Sequence, residues 1–288
     1  MSASISARWI GSTIADLLER PSSGTTVAVF SRSCYLELRG RIVALVSPAL
    51  GRGPLNIVAE PRAGFSFGAF AVGAAVRLAP PALTVDPDIR IDLSDAAVWN
   101  AGLAALSAGD RARASRWRWA AGHIAEVLAE APAASLAHPA SRSARAARGM
   151  DALFAGLRTG DRTAAATGTA LLAGLGAGLT PSGDDVLLGV LVAAALADRA
   201  RASAIGAEVL KAARGRTTRI SLAYLEAASR GEVGEAWHLL ARALEGDSDD
   251  AVQEATRRVL ATGETSGADM LAGFLLGLRA WAPAGPRR

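Results

Sequence analysis

The chain has 288 residues, 51% of them hydrophobic and 20% charged, which is ample apolar material for a packed core and excludes a disordered chain. Its formal net charge is +4, and all but Lys211 of its 31 basic residues are scattered arginines, so the clustered patch of a nucleic-acid binder is missing and no nucleic acid is expected as partner. A single cysteine, Cys34, excludes an intramolecular disulfide and any multi-cysteine metal centre.

A short helix is expected over residues 6–20, and after it come β-prone runs at 25–30, 34–38, 41–47, 55–60, 65–76 and 89–93. Glycine and proline separate them at Gly24, Gly40, Pro48, Gly51, Gly53, Pro54, Pro80 and Pro81, the punctuation of a small antiparallel sheet or barrel. At Ser94-Asp95 the texture changes: this pair is suited to cap a helix carrying Val98, Leu103 and Leu106. Alanine and leucine then recur at helical spacing over 112–129, 143–157, 162–173, 184–197, 202–213, 218–229, 234–244, 248–260 and 267–281, with a proline-containing loop at 131–143. The expectation is an α+β protein with a β-rich domain at 1–93 and a larger all-α domain at 94–288.

The most apolar stretch, 186–197, is shorter than the roughly 20 residues that cross a bilayer and is flanked by Asp184, Asp185, Asp198 and Arg199. The N-terminus carries Arg8, Asp16 and Glu19 and has no leader pattern. No membrane contact is expected, and the location expected is the cytoplasm.

One stretch stands apart. Gly174-Leu175-Gly176-Ala177-Gly178-Leu179-Thr180-Pro181-Ser182-Gly183-Asp184-Asp185 leads straight into the apolar helix. Alternating glycines permit positive φ and leave backbone N–H groups uncovered, and the helix that follows adds its positive dipole end, so the loop is suited to an anion. Asp184 and Asp185 oppose that, because like charge is costly in a partly dry site. A bridging Mg²⁺ on Asp184, surrounding arginines, or a substrate that offers an N–H to the carboxylates would each remove the conflict.

A fainter copy follows near the C-terminus, where Ser266-Gly267-Ala268-Asp269 and Gly273 match Ser182-Gly183-Asp184-Asp185 and Gly189 in the pattern S-G-x-D-x-L-x-G. Serine three residues before aspartate is also the capping box, which explains Asp185 and Asp269 without a ligand. Asp184 faces Ala268 in this alignment, so capping leaves it unexplained and makes it the first choice for a reactive or metal-binding carboxylate. Between the copies, Arg216 and Arg219 offer counter-charge and Thr217, Thr218 and Ser221 hydroxyls, or the segment is a capped helix with a solvated basic end. His123, His138 and His238 share no ligand spacing, Trp117 and Trp119 read as helix core, and Walker A, G-x-S-x-G and H-E-x-x-H motifs are absent.

The run Gly174 to Asp185 with Leu187 and Gly189, then Thr217-Thr218 with Ser221, then Thr265-Ser266-Gly267 with Asp269, resembles the AllH-type family, and the likeness extends more weakly to Gly53-Pro54 and residues 91–99. Ala177 stands where that family's pattern has proline. The resemblance implies a subunit of oxamate carbamoyltransferase, which acts with partner subunits in allantoin breakdown, where oxalurate and phosphate give oxamate and carbamoyl phosphate. The residues expected to carry this chemistry are Asp184 and Asp185 as catalytic, and Gly176, Gly178, Thr180, Ser182, Gly183, Arg216, Thr217, Thr218, Ser221, Ser266 and Asp269 as contacts for a small anionic carbamoyl compound and phosphate. The alternative is a non-catalytic subunit in which the same loop captures a small anion or nucleotide to regulate a partner enzyme.

Overall fold

A computed structural model describes residues 3–60, 65–85, 89–104 and 110–281, which divide into two units, Met1–Ala101 and Gly102–Arg288. The arrangement is α+β. The first unit holds β1 (Ala3–Gly11), β2 (Ser22–Val29), β3 (Ser33–Leu38), β4 (Arg41–Val46), β5 (Asn56–Glu60), β6 (Ala75–Ala79), β7 (Ala82–Val85), β8 (Ile89–Asp92) and β9 (Ala97–Trp99). They pair in the order β5-β4-β3-β2-β6-β7-β8-β1, and β1 also pairs with β5, which closes a barrel. Closure is what protects such short strands, since an open sheet would leave a row of unpaired backbone groups. Strand alternation fills the interior: Leu36 and Leu38, Val76 and Leu78, and Ile89 and Ile91 are buried while their strand neighbours are more exposed.

Three expectations for this unit are corrected. Residues 6–20 are not one helix: β1 runs to Gly11 and only Ala15–Glu19 turns, as a 3-10 helix. The alternation of β1 is hidden by a bulge between Ala7 and Trp9, where its pairing with β5 shifts register. The run 65–76 is likewise not a strand; Phe67–Ala69 forms a 3-10 turn, Phe65 packs edge to face on both Phe67 and Phe70, and the strand begins at Ala75. Ser94 does not cap a helix. Its backbone N–H and hydroxyl both donate to Asp92 Oδ1 at 3.0 and 2.7 Å, a local turn that leads into β9 alongside β1. Leu106 lies outside the described residues.

The second unit is helical: α1 (Asp110–Leu128), α2 (Ala144–Thr159), α3 (Arg162–Leu172), α4 (Ser182–Ala197), α5 (Arg199–Ala213), α6 (Arg219–Ser229), α7 (Glu235–Glu245), α8 (Asp249–Leu260) and α9 (Ser266–Trp281). Trp117 belongs to its core and packs near Trp281, with ring centroids 6.5 Å apart. At the centre α4 lies against α9, both apolar almost all round, as buried helices are. Glycine sets their separation: a Cβ at Gly189 would fall 1.8 Å from the Met270 carbonyl oxygen, and one at Gly273 would fall 1.9 Å from that of Val186. Further along, Gly277 meets Ala193. Contacts that advance together in both sequences mean that the two helices run parallel, with their N-termini at the same end. No helix among the described residues is long and apolar enough to cross a membrane.

Candidate functional site

Each of these central helices follows a preceding one across a tight loop, α3 to α4 and α8 to α9. The two loops differ in length but share contacts at the glycine that follows each serine. Gly183 abuts the carbonyl of Leu172, the last residue of α3, and Gly267 abuts those of Val259 and Leu260 at the end of α8. Gly183 N–H donates to Leu175 O and Gly267 N–H to Thr262 O, each at 2.8 Å. The repeated S-G-x-D-x-L-x-G pattern is therefore a repeated structure, a helix-loop-helix used twice with its second helices side by side.

The first loop keeps its shape through Asp184. That carboxylate is 1% exposed and accepts from Gly174 N–H at 2.8 Å, from Ser221 Oγ at 2.8 Å and from the Thr217 hydroxyl. Thr218 caps α6 by accepting from Ser221 N–H at 3.0 Å and donates its own hydroxyl to the Leu179 carbonyl. All three hydroxyls of the 217–221 segment thus pin the glycine loop. Arg216 presses its carbonyl against Gly174, whose φ of +67° accommodates the approach, and its guanidinium donates to Ala170 O at 3.1 Å in the last turn of α3. A cation there complements the negative end of that helix. A Mg²⁺ at Asp184 would have to displace three donors, and the described residues contain no group of three or more His, Cys, Asp or Glu suited to a metal ion.

Asp185 and Asp269 form the second layer. Neither Ser182 nor Asp185 makes a capping box: α4 has no side-chain cap, and Ser182 is its first residue. The serines instead cross between helices. The hydroxyls of Ser266 on α9 and Thr180 act on Asp185 of α4 by lowering its pKa, and those of Ser182 on α4 and Thr265 do the same to Asp269 of α9. Thr180 Oγ1 and Ser266 Oγ are 3.1 Å apart. Over the two buried acids lies a half-buried layer of four hydroxyls, Thr180, Ser182, Thr265 and Ser266.

The two acids differ in what holds them. Asp269 Oδ1 accepts from Ser135 Oγ at 2.7 Å and Leu136 N–H at 2.6 Å. Burial pushes Asp269 above the ordinary carboxylate range against the pull of those donors. For Asp185 burial is the largest cause of a strong rise, the Ser266 hydrogen bond opposes it, and the neighbouring charges of Asp269 and Asp184 add to it. Oδ2 of each residue is buried without a hydrogen-bond partner. Of the carboxylates that the sequence places where an anion would sit, Asp184 is engaged by three donors, and burial pushes Asp185 toward its neutral form.

The loop itself faces outward. Gly176, Ala177 and Gly178 are exposed, Gly176 and Gly178 adopt φ of +123° and +88°, and among the described residues their N–H groups have no acceptor. These donors sit at the N-terminal ends of two parallel helices, where positive dipole ends add. The structure brings together all three segments singled out in the sequence, and adds Ser135 and Leu136 from the 131–143 loop, which sequence reasoning missed. Their only signal was a serine in a run of small apolar residues between Pro132 and Pro139. Two of the histidines are engaged elsewhere: His138 Nε2 is 2.8 Å from Ala131 O, and His123 Nε2 is 3.2 Å from Asp249.

Two family models match the chain. One, described as oxamate carbamoyltransferase subunit AllH, takes in residues 172–278, and the other, the AllH family N-terminal domain, takes in residues 3–98. Together they span more than two thirds of the sequence, including the glycine loop, the 217–221 segment, α4 and most of α9. No curated protein and no solved structure matches.

Proposed function

Because this chain belongs to the AllH family, we propose that it serves as a cytoplasmic subunit of a carbamoyltransferase-type enzyme and holds a small anionic carbamoyl compound, with phosphate, where α4 and α9 begin. The observation that carries this reading is the exposed glycine loop, whose N–H groups at 176–178 have no acceptor among the described residues, leading into the N-terminus of α4. The loop donors and helix ends suit carboxylate or phosphoryl oxygens. The hydroxyls of Thr180, Ser182, Thr265 and Ser266 suit the carbamoyl group, since each both donates and accepts. Asp184, with Thr217, Thr218, Ser221 and Arg216, holds the loop in place. Partner subunits belong to this reading, because the family description names a subunit.

The test has two arms. Calorimetric titration of the purified chain with oxamate and with inorganic phosphate is expected to show saturable binding, weakened about tenfold or more when Ser182 and Ser266 are both replaced by alanine, as loss of two hydrogen bonds to a charged group predicts. The enzyme co-purified with its partner subunits is expected to form carbamoyl phosphate from oxalurate and phosphate. Binding without turnover in that assembly would assign this chain the regulatory, non-catalytic role. The absence of both binding and turnover would overturn the proposal.

A further inference from the structure

We infer that Asp185 and Asp269 together hold one divalent cation of the Mg²⁺ class at the N-terminal end of the seam between α4 and α9, a site that adds to the function proposed above without resting on it. Asp185 stands one helical turn before Gly189, and Asp269 one turn before Gly273, so each acid shares a helix face with the glycine that follows it. These faces are turned to the neighbouring helix, because a Cβ at Gly189 would strike Met270 O and one at Gly273 would strike Val186 O. The two contacts exchange when one repeat is laid on the other, Val186 on Met270 and Gly189 on Gly273. A local two-fold axis therefore runs along the seam and relates Asp185 to Asp269, which places the two acids across from each other by helix packing alone.

Both acids arrive there with an oxygen to spare. Asp185 is 4% exposed and Asp269 0%, and Oδ2 of each is buried without a hydrogen-bond partner. The bonds from Ser135 and Leu136 to Asp269 go to Oδ1 alone. The nearby guanidinium groups are turned to backbone carbonyls: Arg216 to Ala170, Arg142 to Leu136 and Ala137, and Arg145 to Leu171. A buried acceptor with no donor calls for a proton, a water or an ion. A proton belongs to one of the two oxygens, whereas one cation on the seam serves both. The surroundings suit a hard cation, which takes oxygen ligands: the hydroxyls of Thr180 and Ser266 are 3.1 Å apart, and those of Ser182 and Thr265 are half-buried beside them. Mg²⁺ is commonly held by one or two carboxylates and completes its shell with water and phosphate oxygens, so no third acid is needed and Asp184 keeps its three donors. Charge points the same way. Two carboxylates and two helix N-termini of about +0.5 each sum to about −1, which repels an anion, and a divalent cation turns that to about +1.

The test uses the purified full chain with the metal alone, so that neither substrate nor partner enters. Calorimetric titration with Mg²⁺, and electron paramagnetic resonance with Mn²⁺ in its place, are expected to show one saturable site per chain, with Mg²⁺ displacing the bound Mn²⁺ signal. Binding is expected to weaken about tenfold or more in Asp185→Asn and in Asp269→Asn, the scale of one lost charged ligand. It is expected to be unchanged in Asp198→Asn, which alters an exposed acid that caps α5 beyond the far end of α4. Mg²⁺ is also expected to raise the Tm of wild type by mass action and to leave that of the Asp185 and Asp269 variants unmoved. Wild type carries the test even where a variant fails to fold: no saturable Mn²⁺ signal and no rise in Tm would overturn the inference. Equal weakening by Asp198→Asn, or undiminished binding in Asp185→Asn and Asp269→Asn, would overturn it as well. None of these results depends on carbamoyl transfer, so failure of the cation site leaves the proposed function standing, and failure of the oxalurate assay leaves the cation site standing.

Discussion

Replacing Gly189 by alanine probes the contact between α4 and α9 on which the site depends. The added Cβ would lie 1.8 Å from Met270 O and 2.7 Å from Phe274 N, against the roughly 3.5 Å at which nonbonded carbon atoms rest. Backbone cannot swing aside as a side chain does, so the helices must part by about 1 Å or more along a packed seam. Overpacking of this kind costs about 3 kcal/mol at the upper end of its usual range, while alanine in place of glycine returns about 1 kcal/mol in helix propensity. The net loss of about 2 kcal/mol lowers Tm by about 4–8 °C for a unit of this size, read by calorimetry or circular dichroism. Gly273→Ala acts on the same seam, so the second substitution costs less than the first in the double variant. Gly122 of α1, with nothing within 4 Å of its would-be Cβ, is the control: Gly122→Ala should raise Tm. A Gly189→Ala protein as stable as wild type would refute the close parallel packing.

Asp184→Ala strands the Gly174 N–H and the hydroxyls of Thr217 and Ser221, and at about 1–3 kcal/mol for each orphaned buried group urea unfolding should show a loss of about 3 kcal/mol or more, with Asp184→Asn milder. Asp185 has a folded pKa raised by burial, so its contribution to stability is full below the unfolded carboxylate value and is lost as pH climbs toward the raised one. Wild type should therefore lose stability relative to Asp185→Asn between about pH 4 and neutrality, seen as converging or crossing urea midpoints; parallel curves would contradict the shift. Burial pushes the Cys34 thiol up to about 12, and with the residue 0% exposed it should resist a thiol reagent at pH 8 until denaturant is added. Prompt labelling of the native chain would place it outside the barrel interior.

The helical half of the molecule was readable because its signals are local. Alanine-leucine spacing, Asp161 before α3, Thr218 before α6 and Ser248 before α8 mark helices whose caps the structure contains. The β-unit was readable as a class but not strand by strand. A bulge disguised β1, and the hairpin of β6 and β7 turns at Pro80-Pro81, where the sequence shows only punctuation. In the site, the repeated motif announced that residues near 182 and 266 matter, yet it pointed to capping within each copy. What the motif does not encode is the exchange of partners between copies, Ser182 with Asp269 and Ser266 with Asp185. That exchange depends on helix packing across more than 80 residues of sequence, as does the arrival of Ser135 at Asp269. The roles of the paired aspartates were equally hidden, since hydrogen-bond saturation at one and desolvation at the other are properties of surroundings rather than of residue type.

The position of α9 in the chain has a consequence for biosynthesis. Ser266 and Asp269 are on the last helix described, so a nascent chain can carry a finished barrel and an ordered glycine loop while half of its polar layer is still unmade. Until residues 266–281 dock beside α4, the Gly189 seam stays open to water and the acid of that helix lacks its serine. Contacts so distant in sequence are slow to form. A product that stops short of α9 is therefore left with an exposed apolar groove along α4 and without Ser266 and Asp269.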